Sequence, residues 1–147
     1  MDYDKSIVDF GNYPGEGNLS VFYTVLVWSI KKNSKSAGKI SYQFVPRERI
    51  VEVNNKFLNH DYSTDIITFD YSAGRKISGE ILICPEQVLV NSQDLGVSYL
   101  SELHRVMFHG ILHLIGYNDK TDEEKQIMRK EEDLCLERLK VLGNEQL

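Results

Sequence analysis

The sequence predicts an α+β fold: a mixed sheet of about four strands with one antiparallel edge pair, packed by about five helices in a single domain over residues 1–147. Two observations lead there. Strand-like and helix-like periods alternate through the first 84 residues, and everything after that reads as helix. The two strongest strand runs, 64–71 and 77–84, are rich in Ile, Thr, Phe and Tyr, and only Ser-Ala-Gly-Arg-Lys separates them, which is a hairpin signal. A chain of 147 residues can bury a core without disulfides or metals as staples.

Taken in order, residues 6–10 form a short strand candidate, and a Gly/Pro/Asn-rich turn fills 11–18. Residues 20–33 return Val21, Val25 and Trp28 at helical spacing, after which Gly38 resets the chain before an alternating strand at 39–45. Residues 47–58 follow a helical period again. Pro85 opens a short helix that Gly96 closes, as proline and glycine do at first turns and C-termini. The next helix is 98–115. Thr121 and Glu124 make a capping box for a long amphipathic helix from 122 to about 142, with Ile127, Leu134 and Leu139 expected on its inner side.

Composition narrows the function classes. The net charge of −5 argues against bulk electrostatic attraction to nucleic acid, so any such binding is local. Basic residues cluster at Lys31, Lys32, Lys35 and Lys39, at Arg47 and Arg49, and at Arg75 with Lys76; each cluster alone reads as a solvated face. The longest apolar run, near 21–30, is too short and interrupted for a bilayer, and the start lacks a basic segment followed by an apolar one. A cytoplasmic protein with no membrane partner is the expectation. Cys84 and Cys135 form no C-x-x-C pair and read as small buried residues.

The chemistry concentrates between residues 109 and 119. His109 and His113 stand four apart on a helix, so one turn stacks their rings on one face. Gly116 supplies the left-handed residue that ends the helix and lets Asp119 return toward them. This H-x3-H-x5-D arrangement predicts one Zn²⁺ ion held by His109, His113 and Asp119, with the open fourth position of a catalytic rather than a structural site. A glutamate directly after the first histidine would make a zinc peptidase. Gly110 stands there instead and cannot take a proton, which leaves peptidase chemistry a minor alternative.

The run from His109 to Asp119 resembles the H-G-x-L-H-L-x-G-Y-D-H signature of the YbeY family, zinc-dependent rRNA maturation factors that act as single-strand endoribonucleases. Val53-Asn54 through Thr64-Asp65-Ile66-Ile67-Thr68-Phe69 is similar to the family's L-N-x-x-Y-R and T-D-V-L-S-F segments, and Gly79-Glu80-Ile81 to its G-D-I strand. The likeness covers nearly the whole chain from residue 38 onward. It implies a zinc-dependent endoribonuclease that processes the 3′ end of 16S rRNA in ribosome maturation, with single-stranded rRNA precursor and the ribosome or its small subunit as partners and no DNA.

Two positions depart from the family's pattern. Asp119 stands where the third ligand is usually histidine, with Asn118 where the family has aspartate; a carboxylate oxygen binds zinc at a comparable distance but adds a negative charge that weakens the ion as an electrophile. Leu58 stands where the family carries an arginine associated with RNA phosphate. Arg105, one turn before His109, is the candidate substitute phosphate contact, weighed equally against a salt bridge to Glu102 or Glu132. His60 is a further candidate for phosphate. Glu80 and Asp65 are candidates for orienting water, though strand-end roles suit both better. The competing reading, from a different class, is a non-catalytic ribosome-assembly factor with a structural metal site.

Overall fold

The computed structural model describes residues 4–17, 19–59 and 64–145. Nine elements follow in order: β1 (Val8–Asp9), α1 (Ser20–Lys32), β2 (Ser36–Phe44), α2 (Arg47–Leu58), β3 (Ile66–Asp70), β4 (Lys76–Ile83), α3 (Pro85–Leu95), α4 (Tyr99–Ile115) and α5 (Asp122–Glu145). The strands form one sheet in the order β1-β2-β4-β3. β1 pairs parallel with β2, and β2 pairs parallel with β4. The hairpin strands β3 and β4 are antiparallel, with Ile67 opposite Leu82, and make the antiparallel edge that the sequence predicts.

Alternation along the strands builds two cores. Ile40, Tyr42 and Phe44 of β2 with Ile77, Ile81 and Ile83 of β4 face α1, α4 and α5 in the larger core. On the other face, Ile67 and Leu82 meet Ile50 and Val53 of α2 in a smaller one. The Tyr42 hydroxyl, sealed inside, donates to the Met107 carbonyl at 2.9 Å. That bond answers the cost of burying a polar group and ties the sheet centre to α4.

Three expectations change. The first strand shortens from residues 6–10 to Val8–Asp9. Gly38 does not reset the chain before β2; it lies inside the strand, beside a register shift between Ala37 and Ile40. A side chain there would collide with the Ser78 hydroxyl and come within 2.8 Å of the Ile77 carbonyl, so glycine permits the close approach of β4. On α5 the inner stripe is Met128, Glu132 and Cys135, with Leu136, Leu139 and Leu142 partly buried against the same core, while Ile127 and Leu134 are exposed. Both cysteines are buried free thiols.

α4 decides where the site lies. Ser98 caps it by accepting from the Ser101 amide at 3.1 Å, which satisfies one of the helix's open donors. Leu103, Val106, Met107, Phe108, Ile111, Leu112 and Leu114 then bury the helix against the sheet and α1. A β-carbon on Gly110 would sit 2.9 Å from Ile81 Cγ2 and 3.2 Å from Ile66 Cδ1, so the missing side chain lets α4 settle directly on β4. Among the described residues, no helix is long and apolar enough to cross a membrane.

Candidate active site

α4 runs past the edge strand β3, and between them opens a cleft of about 630 Å³. Its walls include Leu58, Thr64, Asp65, Thr68, Arg105, His109, His113 and Asp119, so the sequence-predicted ligands share one cavity with the two departures from the family pattern. Gly116, at φ +129°, ends α4, and its amide bonds back to the His113 and Leu112 carbonyls. The reversal brings Asp119 Oδ2 to 3.2 Å from His109 Nε2.

The second nitrogen of each ring is already engaged. His109 Nδ1 lies 2.7 Å from Glu132 Oε2, and His113 Nδ1 lies 3.2 Å from the Tyr117 carbonyl. Both acceptors require a proton on Nδ1, which leaves each Nε2 with its lone pair in the neutral ring. Tyr117 is fixed in turn, because its hydroxyl donates toward Asn33 Oδ1 at 2.7 Å and Glu131 Oε1 at 2.9 Å.

Beneath His109 lies an ionic network. Glu102 and Glu132 are almost wholly buried, at 1% and 2% exposure, and Arg105 lies between them. Its Nε donates to Glu102 at 2.8 Å and its Nη1 to Glu132 at 3.0 Å, with a further bond from Nη2 to Glu102. The sequence left Arg105 open between a phosphate contact and an ion pair with one of these two acids; it pairs with both and also borders the cleft. Such a network is costly to desolvate and costlier to break, since removing one partner strands a buried charge.

Titration follows the same contacts. Burial lowers the affinity of the His109 ring for a proton, but the Glu132 hydrogen bond and the Glu132, Asp119 and Asp65 charges outweigh it and raise the pKa. Burial pushes the Glu132 carboxyl up, while the His109 bond and the Arg105 charge pull it further down, to a net value below the usual carboxylate range.

Among the described residues, no three His, Cys, Asp or Glu groups already converge as a metal cage. The donors nevertheless suit zinc. Zn–N and Zn–O bonds near 2.0–2.1 Å put tetrahedral ligand atoms about 3.3 Å apart, which matches the 3.2 Å between His109 Nε2 and Asp119 Oδ2. Imidazoles held through Nδ1 by a carboxylate and a carbonyl are the orientation that metal ligands use.

The remaining predicted groups divide. Asp65 lines the cleft, but its Oδ2 accepts from Asn91 at 3.1 Å and its carbonyl from the Cys84 amide, which are strand-end duties. Glu80 sits on β4 opposite Ser41 and Phe69 and is no part of the cleft lining. His60 lies outside the described residues. Local sequence pattern does not announce Glu132 as the acid behind His109. It is 23 positions away, and a buried acid in the apolar stripe of α5 was the available signal.

The cleft beside α4 gathers the polar and ionisable groups of a candidate active site. Comparison with known proteins supplies the class. The family model for Endoribonuclease YbeY matches residues 19–140. The Endoribonuclease YbeY of Parabacteroides distasonis is 50% identical over 102 residues, spanning 69% of this chain and 72% of that protein. That of Flavobacterium johnsoniae is 46% identical over 125 residues, covering 83% and 90%. A Thermotoga maritima protein of known solution structure superposes with a TM-score of 0.67 at 26% identity, covering 95% of this chain and 93% of that one. The chain belongs to the endoribonuclease YbeY family.

Proposed function

We propose that this protein is a zinc-dependent endoribonuclease that cuts single-stranded rRNA precursor, acting on the 3′ end of 16S rRNA during maturation of the small ribosomal subunit in the cytoplasm. The observation that carries the metal assignment is the contact of His109 Nε2 with Asp119 Oδ2 at 3.2 Å, with both histidine Nδ1 atoms already engaged elsewhere. His109, His113 and Asp119 are the proposed ligands. When bound, zinc supplies Lewis-acid polarisation of a phosphate and makes water more acidic.

The chain's own groups do the rest. Glu132 and the Tyr117 carbonyl keep the two rings in the tautomer that offers Nε2 to the cleft. Arg105 is the proposed cation for phosphate on the cleft wall, its charge already offset by Glu102 and Glu132. Gly110 is packed against Ile81 and Ile66, with no proton acceptor where a zinc peptidase needs one. The expected result is that zinc-loaded wild type cleaves single-stranded RNA while His113→Ala loses at least about a hundredfold in rate, the scale of a lost electrostatic stabiliser. Equal cleavage by the two proteins would overturn the proposal.

One observation favours the second reading, a non-catalytic assembly factor. Leu58 lines the cleft at the family's arginine position, and an alkyl chain cannot bond a phosphate. Under that reading wild type takes up zinc and binds RNA but leaves it intact.

A further inference from the structure

The His109–Asp119 pair is shared by two cavities. One is the β3 cleft, and the other, of about 290 Å³, opens on the α5 side; Arg105, His109 and Asp119 line both. The second adds Glu132, Lys125 and Arg129 from α5. Lys125 and Arg129 are four residues apart, so they rise from the same face of the helix, about 6 Å apart along its axis.

Both are exposed on α5. Lys32 is spent on Glu131 at 3.1 Å, Arg49 on Glu52 at 2.5 Å, and Arg138 on the Trp28 ring at 4.3 Å. Arg129 is half exposed and meets an acid only at 3.8 Å, Glu132, whose charge Arg105 already holds at 3.0 Å. Lys125 is exposed and makes no ion pair among the described residues. Lys120, on the rim of the first cleft, is likewise exposed and without one. Exposed cations with at most one loose acid contact therefore line both cavities beside the central pair in a chain of net charge −5. A polyanion is the ligand they fit.

We propose that Lys125 and Arg129 form a phosphate subsite for the RNA strand, which crosses the His109–Asp119 pair from the β3 cleft to the α5 side. The subsite adds, on the α5 side, a phosphate contact beyond the one proposed for Arg105 in the β3 cleft. It rests on the endoribonuclease reading above.

The test is fluorescence anisotropy with a 2′-O-methyl single-stranded oligoribonucleotide, titrated at several salt concentrations. Wild type is compared with Lys125→Ala/Arg129→Ala and with Lys39→Ala/Lys76→Ala, which removes the same charge at the far end of the sheet. Loss of two phosphate contacts should weaken binding about tenfold and flatten the salt slope by about 1.4, with zinc content unchanged and KM raised more than kcat is lowered. Lys125→Arg should restore most of the single-site loss. Equal weakening by the two double variants, or wild-type binding by Lys125→Ala/Arg129→Ala, would overturn the subsite alone. A wild type that neither binds nor cuts RNA would overturn the function itself and the subsite with it.

Discussion

Two histidines on α4, five residues apart, live in opposite surroundings. His104 is set among rings: its Nε2 lies 2.9 Å from the Tyr13 hydroxyl, and its centroid is 5.4 Å from that of Phe22. Burial drives its pKa down to about 4. His109 is also largely buried, yet Glu132 and Asp119 turn the balance and raise its pKa. The same side chain on the same helix is a packing element at one position and a cleft-lining group at the other. What separates them is whether a carboxylate reaches the ring.

Removing that carboxylate is the most direct way to break the contrast. Glu132→Ala should weaken zinc binding 10- to 100-fold, the usual cost of losing the acceptor behind a metal-bound imidazole. Glu132→Gln, whose amide oxygen still accepts from Nδ1, should fall between alanine and wild type. Competition with a chromophoric chelator reads both, and an alanine variant with wild-type affinity would put His109 in the same category as His104.

The second effect is on stability. The His104 pKa lies below its unfolded value of 6.5, so between pH 6.5 and about 4 the unfolded chain binds more protons. Its contribution is therefore complete above pH 6.5 and is lost as pH falls toward 4. After allowance for partial solvent screening the loss is about 2 kcal/mol at pH 4.5. Urea melts at pH 7 and 4.5 should show that much less pH sensitivity in His104→Leu than in wild type; identical sensitivity would deny His104 its place as a buried neutral ring.

The smallest effect comes from the cap. Ser98→Ala removes the acceptor for the Ser101 amide and should cost about 1 kcal/mol with zinc affinity unchanged. A parallel loss of affinity would show that the two ends of α4 are not energetically separate.

The two ends also differed in how far they could be read in advance. The His109, His113, Gly116 and Asp119 arrangement is local, and helix period plus a glycine stop were enough to bring Asp119 back to His109. Glu132 was visible only as one possible partner for Arg105, because its tie to His109 depends on how α5 lies across α4. The buried stripe of α5 departs from expectation for a related reason. A face that carries Glu132 between Met128 and Cys135 looks less apolar than the neighbouring face of Ile127 and Leu134, although it is the buried one. Gly38 shows the same limit: glycine's usual meaning as a breaker gave way to a contact with β4 that no local pattern announces. The hairpin, both glycine-closed helices and the capping box, in which the Thr121 amide donates to Glu124 and the Glu124 amide to the Thr121 hydroxyl, follow local rules and are legible.

The absence of a side chain at Gly110 has a consequence for how the centre can respond to its substrate. α4 rests on Ile81 and Ile66 along one side and is tied to α5 through Arg105 and Glu132 on another, so it is held from two directions. A centre built on this helix would have its dipoles set before RNA arrives, with little reorganisation to perform during the reaction. Adjustment falls to the flexible polynucleotide, which must bend to a fixed template.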